Sequence, residues 1–419
     1  MSHPFPSITS SFDELQSRLG RRRGGSVQLR QAALEHFARL GFPTTRSEAW
    51  RATPLGPVVE TPFALAGFEG VGVARQLLRG EDGREFRLVF VDGHHDGSLS
   101  ARMDLPAGTT VENLADVLLH WPDVLEPHLG RYASFHDNAF TALNTAFLED
   151  GAFVHVPHGV HVARPLVLRY VSTPARRSTA AHPRNLLVLE PHSRAIVVEH
   201  YSGEGRNLTN AVTEVVLGEG ARLEYYLLVD EGEAAFHIGR VQVEQGPGSA
   251  FEAHAVTLGS ALCRTELHAH LAAERAACAL RGLYLAHGRQ HVDNLVRVER
   301  AAAGVTAQAA YRGVLEGRAT GVFTGQLEPG EGVGLSHRAL LLSDEATLDA
   351  RPEVSTVERV DPAEQGALRA KGMGEAAARA VPARAFIEEV LAAMPLESWR
   401  ERVRAVVEAA LPGGHRRFA

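Results

Sequence analysis

The chain has 419 residues, 45% of them hydrophobic and 22% charged, ordinary values for a soluble protein of two or three domains or one large repetitive core. A net charge of −7 argues against a broad nucleic-acid surface, which needs clustered Lys and Arg. Two cysteines, Cys263 and Cys278, exclude a disulfide framework; no run has the character of a signal peptide or the length of a membrane span, so the chain reads as cytoplasmic.

Residues 9–55 read as helical. Ser11 followed by Glu14 has capping-box spacing and predicts a helix start there. Arg21, Arg22 and Arg23 before Gly24-Gly25 read as a helix C-terminus, where positive charge suits the dipole. "SVQLRQAALEHFARLG" then places Leu29, Ala33, Phe37 and Leu40 at helical spacing and ends on Gly41. "REFRLVFVDG" reads as a strand, and "NLADVLLHWPDVLEPHL" as helix interrupted by Pro122.

From about 150 to 356 short apolar runs alternate with Gly, Pro and acidic corners, as in "RPLVLRY", "AIVVEHY" and "ARLEYYLLV". No helix-length segment breaks them, which predicts an all-β core. The runs beginning at Gly220, at Gly248 and around Arg275 step by about 28 residues, a solenoid period. A parallel β-helix is therefore preferred over a β-sandwich, and its two ends must be capped or paired with a partner. From Asp361 the text is helical again: Asp361 is an N-cap with Pro362 behind it, and that helix ends near Gly372. Two further helices follow, and Pro382 predicts a kink or split in the first of them. The domains are thus an N-terminal helical and mixed region (1–149), a β-helix (150–356) and a C-terminal helical domain (357–419).

Candidate chemistry is thin. Glu266, His268 and His270 share one strand face and could hold Zn or Fe, but Leu267, Ala269 and Leu271 alternate with them as an inward face would, and a solvated strand face is preferred. Cys263 and Cys278 lack Cys-x-x-Cys spacing and read as buried small apolar residues. His94, His95 and Asp96 sit in "DGHHDG", whose Asp-Gly pairs favour a turn. Glu199 and His200 point to opposite faces of a strand. Phosphate-loop and nucleophile-elbow motifs are missing, so the chain itself is not read as an ATPase or hydrolase.

Several stretches resemble the SufD branch of the SufB/SufD superfamily of the Suf iron–sulfur cluster assembly system. They are "GFPTTRSEAWRATPL" (41–55), "DGAFVHVPHGVHVARPLVL", "NLTNAVTEVVL", "RGLYLAHGRQHVDN", "YRGVLEGRATGVFTGQ", "LLLSDEATLDARPEV" and "ALRAKGMGEAAARAVPARAFIEEVL". The resemblance implies a mainly β fold, a right-handed parallel β-helix with flanking helical domains. It marks Trp50, Gly282, Tyr284, His291, Asp293, Gly313, Gly321 and Phe323 as motif residues. It also implies a non-catalytic scaffold that supports iron acquisition, pairs with a SufB-type subunit through the β-helix and docks a SufC-type ATPase on the C-terminal helices around Leu368, Gly372, Phe386 and Val390. A homodimer stays open, and no nucleic acid or membrane is implied. No tightly bound cofactor is expected, only transient iron or cluster at the complex interface.

One departure stands out. The family's Cys-Ser-His-Gly turn is missing: "DARPEVSTVERVDPAEQ" runs straight into the helical tail, with about a dozen residues deleted. Neither Cys nor His occurs between Ala339 and Gly414, and Arg300 stands where the family commonly has histidine. His337 is then the candidate metal ligand near that end, weighed against a solvated strand edge. Two other readings remain, a β-helix carbohydrate-active enzyme and a SufB-like cluster scaffold.

Overall fold

The computed structural model describes residues 6–19, 26–79, 85–351 and 355–414. Helices in the N-terminal part are α1 (Pro6–Leu19), α2 (Ser26–Leu40), α3 (Gly56–Val59), α4 (Val71–Leu77), α5 (Leu114–His120) and α6 (Ala139–Ala146). Strands in that part are β1 (Ala64–Leu65), β2 (Phe86–Val91), β3 (His94–His95) and β4 (Thr110–Asn113). Then come β5 (Ala152–Val156), β6 (Leu166–Ser172), β7 (Thr179–Ala181), β8 (Arg184–Leu189), β9 (Arg194–Gly203), β10 (Asn207–Leu217) and β11 (Arg222–Glu231). The stack continues through β12 (Phe236–Gln245), β13 (Ala250–Leu258), β14 (Leu262–Leu271), β15 (Ala277–Ala286) and β16 (His291–Arg300). It closes with β17 (Thr306–Leu315), β18 (Thr320–Leu327), β19 (Val333–Leu341), β20 (Thr347–Arg351) and β21 (Ser355–Arg359), before α7 (Pro362–Ala370), α8 (Glu375–Leu391) and α9 (Glu397–Ala410).

Strands of the stack pair in parallel with the next strand but one, and two sheets result. One runs β20-β18-β16-β14-β12-β10-β8-β5-β4; the other runs β21-β19-β17-β15-β13-β11-β9-β6-β2-β3. Each coil therefore lays one strand in each sheet, a parallel β-solenoid rather than a sandwich of antiparallel hairpins. Between β8 and β20, and between β9 and β19, the register advances 26 to 29 residues per coil, which is the period read from the sequence. Gly220, Gly248 and Arg275, the residues that marked that period, occupy one recurring corner at φ +62°, +62° and +60°. Arg275 holds there a left-handed conformation that glycine adopts at lower cost.

Alternation within each strand sorts the residues. Inward side chains of both sheets form one continuous core, including Leu223, Tyr225, Leu267, Ala269, Leu271, Tyr284 and Phe323. Outward apolar residues are covered by the two helical regions. Trp50, Leu55, Val58 and Phe140 lie on Leu208, Phe236, Ile238 and Leu262 of the first sheet. Phe386, Ile387, Val390, Trp399 and Val403 lie on Tyr226, Leu228, Val256, Leu283 and Leu340 of the second.

Several expectations change in detail. The first helix begins at Pro6, so Ser11 is inside it rather than its N-cap. The Arg21–Arg23 run lies outside the described residues. Strands β2 and β4 extend the two sheets upstream of residue 150, and β21 extends past 356, so the solenoid reaches into both flanking zones. Asp361 does cap α7, accepting from the Ala363 N–H at 2.8 Å. Pro382 does not split α8, which runs unbroken to Leu391. The Ala378 carbonyl, which a non-proline residue at 382 would have bonded, accepts instead from Gln365 Nε2 at 3.0 Å.

Candidate functional site

Three places bring the marked residues together, and the first is a polar clamp on the outer face of the first sheet. Arg264 on β14 pairs with Glu266 at 2.8 Å on its own strand and with Asp293 across on β16. Its guanidinium lies 4.1 Å from the centre of the Trp50 ring. Thr53, three residues beyond Trp50, donates to Asp293 Oδ2 at 2.5 Å and sits 3.1 Å from His291 Nε2. Burial pulls the Arg264 guanidinium down, but Asp293 and Glu266 outweigh it and hold it above its ordinary range. Burial likewise lowers the His291 imidazole. Trp50, His291 and Asp293 thus act together, 240 residues apart in the case of Thr53 and Asp293, to lock the N-terminal segment onto the solenoid.

The second part of this clamp was invisible in the sequence. Glu214 accepts from the N–H groups of Gly130, Tyr132 and Ala133 and pairs with Arg184 at 2.7 Å, both side chains being fully buried. Asn210 donates to the Phe140 carbonyl, and Asn144 returns the contact to the Asn210 carbonyl. The stretch "NLTNAVTEVVL" therefore carries Glu214 to loop backbone and Asn210 to the backbone of α6, and the only sequence signal was polar residues within a strand that is half apolar.

The second place is the C-terminal end of the solenoid. Gly282 stands opposite Tyr311, and Tyr284 opposite Gly313, on β15 and β17. A Cβ at Gly282 would enter the Tyr311 ring, and one at Gly313 would enter the Tyr284 ring. Each tyrosine thus lies flat over the neighbouring strand's glycine. A Cβ at Gly321 would meet Leu315 Cδ1 at 2.9 Å. Phe323 stacks on His337 with ring centres 4.2 Å apart, and Tyr284 lies parallel on the same imidazole at 6.0 Å. His337 is 1% exposed; Nε2 is 2.8 Å from Tyr284 Oη and Nδ1 is 2.8 Å from Ser355 Oγ on β21. Burial pushes its pKa down to about 4. His337 is therefore neither an exposed strand edge nor an open ligand: both ring nitrogens are engaged by hydroxyls inside the core. Among the described residues, no three His, Cys, Asp or Glu side chains gather as a metal site.

The register shortens at the end where the sequence places the missing turn. His337 pairs with Ser355, a step of 18 residues against 26 to 29 in the coils before it. The final coil is short, and its strands β20 and β21 end their sheet orders. Leu348 and Ala350 are only partly buried there, and Val357 is 50% exposed. Residues 352–354, within the deleted turn's surroundings, lie outside the described residues.

The third place is the tail. Phe386 and Val390 are buried against the second sheet, with Arg312 and Arg338 each 5.2 Å from the Phe386 ring centre. They attach the tail to the solenoid and are closed to a partner, contrary to the expectation that they dock one. Leu368 is half-buried and Gly372 exposed, at φ +87°; Met373 and Val381 are exposed as well.

The remaining candidates fall where alternation places them. Glu266, His268 and His270 are outward on β14, with Leu267, Ala269 and Leu271 in the core. The face is not the solvated one expected: Arg264 and Asn138 close over Glu266, which is buried, and the two histidines are half-buried. Cys263 and Cys278 are buried free thiols on different sheets, both raised by burial. Asp92-Gly93 is a two-residue hairpin turn at φ +50° and +88°, and Asp96 closes the next turn by accepting from the N–H groups of Ser98 and Leu99. Glu199 faces inward, accepting from Tyr201, Tyr225 and Thr213, while His200 faces outward beside Trp399. The buried pair of Glu231 Oε2 and His237 Nδ1, 2.8 Å apart inside the solenoid, had no sequence signal beyond an acidic corner.

Comparison with known proteins agrees with this architecture. Residues 171–386 match the family described as SUF system FeS cluster assembly, SufBD core domain, and residues 84–168 match the SufBD protein N-terminal region. An iron–sulfur cluster assembly SufBD family protein of Synechocystis is 26% identical over 91% of this chain and 90% of its own length. The iron–sulfur cluster assembly protein SufD of Escherichia coli is 23% identical over 92% of this chain and 93% of its own. SufD of Bacillus subtilis is 23% identical over 65% of this chain and 67% of its own.

Proposed function

The chain belongs to the SufB/SufD family of the SUF iron–sulfur cluster assembly system, and from that premise we propose that it is a non-catalytic subunit held between two partners. A SufB-type subunit pairs with the C-terminal end of the solenoid, and a SufC-type ATPase docks on the exposed face of the tail. The observation that carries the first contact is the pair of terminal strands, β20 and β21, whose outer edges have no ladder partner among the described residues and beside which Val357 is exposed. Such edges serve as templates for another chain. Support for the second contact is the exposed pair Met373 and Val381, with Leu368 half-buried on the preceding helix, since Phe386 and Val390 are occupied. No helix of the described residues is long and apolar enough to cross a membrane. The work of the subunit is cytoplasmic in this reading.

The iron–sulfur cluster is cargo in this reading, with no resident cofactor in the chain. With His337 enclosed and neither Cys nor His from Ala339 to Gly414, a nascent cluster at the solenoid end takes its ligands from the SufB-type partner. This chain contributes shape, iron supply to the assembled complex and the second ATPase platform. A photocrosslinking residue at Val357, and another at Met373, test the assignment in cells that also express the SufB- and SufC-type partners. Position 357 is expected to capture the SufB-type subunit and 373 the ATPase; the reverse pattern, or capture of neither, contradicts the reading.

A further inference from the structure

A cavity lies at the other end of the solenoid, away from both proposed contacts. It is a cleft of about 850 Å³ over the outer face of the first sheet. Val111, Val117, Phe153 and Val188 line its apolar part. Trp121 and Val124 stand at its lip, 53% and 47% exposed, and Leu119 beyond them is 41% exposed. An exposed tryptophan flanked by two exposed aliphatics is costly in water and marks a surface that is covered in use.

Two further features narrow the occupant. Strand β4, whose Thr110, Val111 and Glu112 line the cleft, is the last strand of its sheet, so one of its edges has no ladder partner among the described residues. An open strand edge beside apolar side-chain pockets is the arrangement that receives an extended peptide as an added strand. The segment that supplies most of the lining is acidic as well, although Arg164 reaches Met103 from outside it. From residue 102 to 126 the chain carries Asp104, Glu112, Asp116, Asp123 and Glu126 against the single cation Arg102, which is paired with Glu112. Glu190 adds a further carboxylate to the lining, hydrogen-bonded to His155. Asp104 lines the cleft, and Asp116, Asp123 and Glu126 are exposed on the segment that carries Val117, Trp121 and Val124 into it.

We propose that this cleft docks an extended peptide segment of a partner protein, one in which bulky apolar residues alternate with Lys or Arg. Alternation puts the apolar side chains into the cleft and against Trp121, and the basic ones toward the acidic lip. A compact cationic aromatic would fill the cavity but leave Leu119 and the β4 edge uncovered, which favours the peptide.

Trp121 reports on the site directly, because the other two tryptophans, Trp50 and Trp399, are buried. The full chain is titrated with a labelled peptide of about ten residues alternating valine with arginine, and with its valine–glutamate counterpart. The basic peptide is expected to saturate, to blue-shift the Trp121 emission, and to bind at least roughly tenfold more tightly than the acidic one. Trp121→Ala, followed by anisotropy of the labelled peptide, should weaken binding roughly tenfold or more. Asp123→Lys with Glu126→Lys should weaken it more at about 50 mM than at about 500 mM salt. Both variants are surface changes, and unchanged circular dichroism melts confirm that they fold. Equal binding of the two peptides, no saturation by about 1 mM, or an affinity unmoved by Trp121→Ala overturns the proposal. Tryptamine binding as tightly as the basic peptide also overturns it and reassigns the cleft to a compact cation. The assay needs neither assembly partner, so its failure leaves the solenoid-end and tail contacts untouched.

Discussion

Gly282→Ala adds one methyl group at the position where the Tyr311 ring crosses the neighbouring strand. The backbone accepts the change, since Gly282 is not among the glycines with positive φ. Alanine would normally gain about 0.4–1 kcal/mol here by restricting the unfolded chain. Overpacking a filled core costs about 1–3 kcal/mol, and this site belongs at the upper end because three ring atoms are struck and the ring is only 4% exposed. The net expectation is a loss of about 2 kcal/mol. Tyr311→Ala alone should cost about 3–5 kcal/mol, as truncation of a buried aromatic does. In that background Gly282→Ala should be neutral or mildly stabilising, giving a coupling of about 2 kcal/mol between the two positions. Urea unfolding of the four proteins, with slopes compared to verify a common mechanism, measures it. A Gly282→Ala protein as stable as the parent, or an equal penalty with and without Tyr311, would refute the interlocking of the two strands.

Three more expectations concern the other places. Asp293→Ala leaves Arg264 buried beside Trp50 with one carboxylate fewer and should cost about 3–5 kcal/mol; adding Arg264→Met should recover part of that loss, and a double variant less stable than the single one contradicts the clamp. His337 is depressed to about 4 inside the fold and titrates near 6.5 when unfolded, so its contribution is complete above about pH 6.5 and is lost as pH falls toward 4. His337→Asn should therefore destabilise the chain at neutral pH by an amount that shrinks toward about pH 5, with iron content of the assembled complex unchanged; a penalty that grows on acidification, or iron lost with the imidazole, rejects the enclosed neutral histidine. Ending the chain at Val360 uncovers Tyr226, Leu228, Val256 and Leu283, so size exclusion should show aggregation rather than a monodisperse solenoid; a well-behaved truncated chain with native melting would show that the tail is not part of the core.

The solenoid could be read before any coordinates because its signal is local. Corner residues such as Gly220 and Gly248 recur once per coil, and strand alternation sorts Leu267 from His268 with no knowledge of neighbours. What could not be read is which outward face is covered. Phe386 and Val390 have the same apolar character whether they meet a partner or the chain's own second sheet, and only the packing of α8 decides. Arg184, Asn210 and Glu214 were equally silent, since their partners lie far off in sequence: Asn144 and Thr145 side chains for Arg184, the Phe140 carbonyl for Asn210 and loop N–H groups up to 84 residues away for Glu214. Pro382 does not split α8 for a related reason: the freed carbonyl finds Gln365, a donor on another helix that local rules do not include. The motif "RGLYLAHGRQHVDN" combines both situations. Its glycine and tyrosine are explained by the adjacent coil, and its histidine and aspartate by Thr53, far upstream.

The central claim is that this chain is one subunit of a larger assembly, joined at the short solenoid end and at the tail. Native mass spectrometry of the full chain co-expressed with the SufB- and SufC-type proteins of the same genome tests it most directly. A single complex containing all three is the predicted result, with the SufB-type subunit released by Val357→Arg. The chain running alone or only as a self-dimer, while the other two assemble without it, would contradict the account.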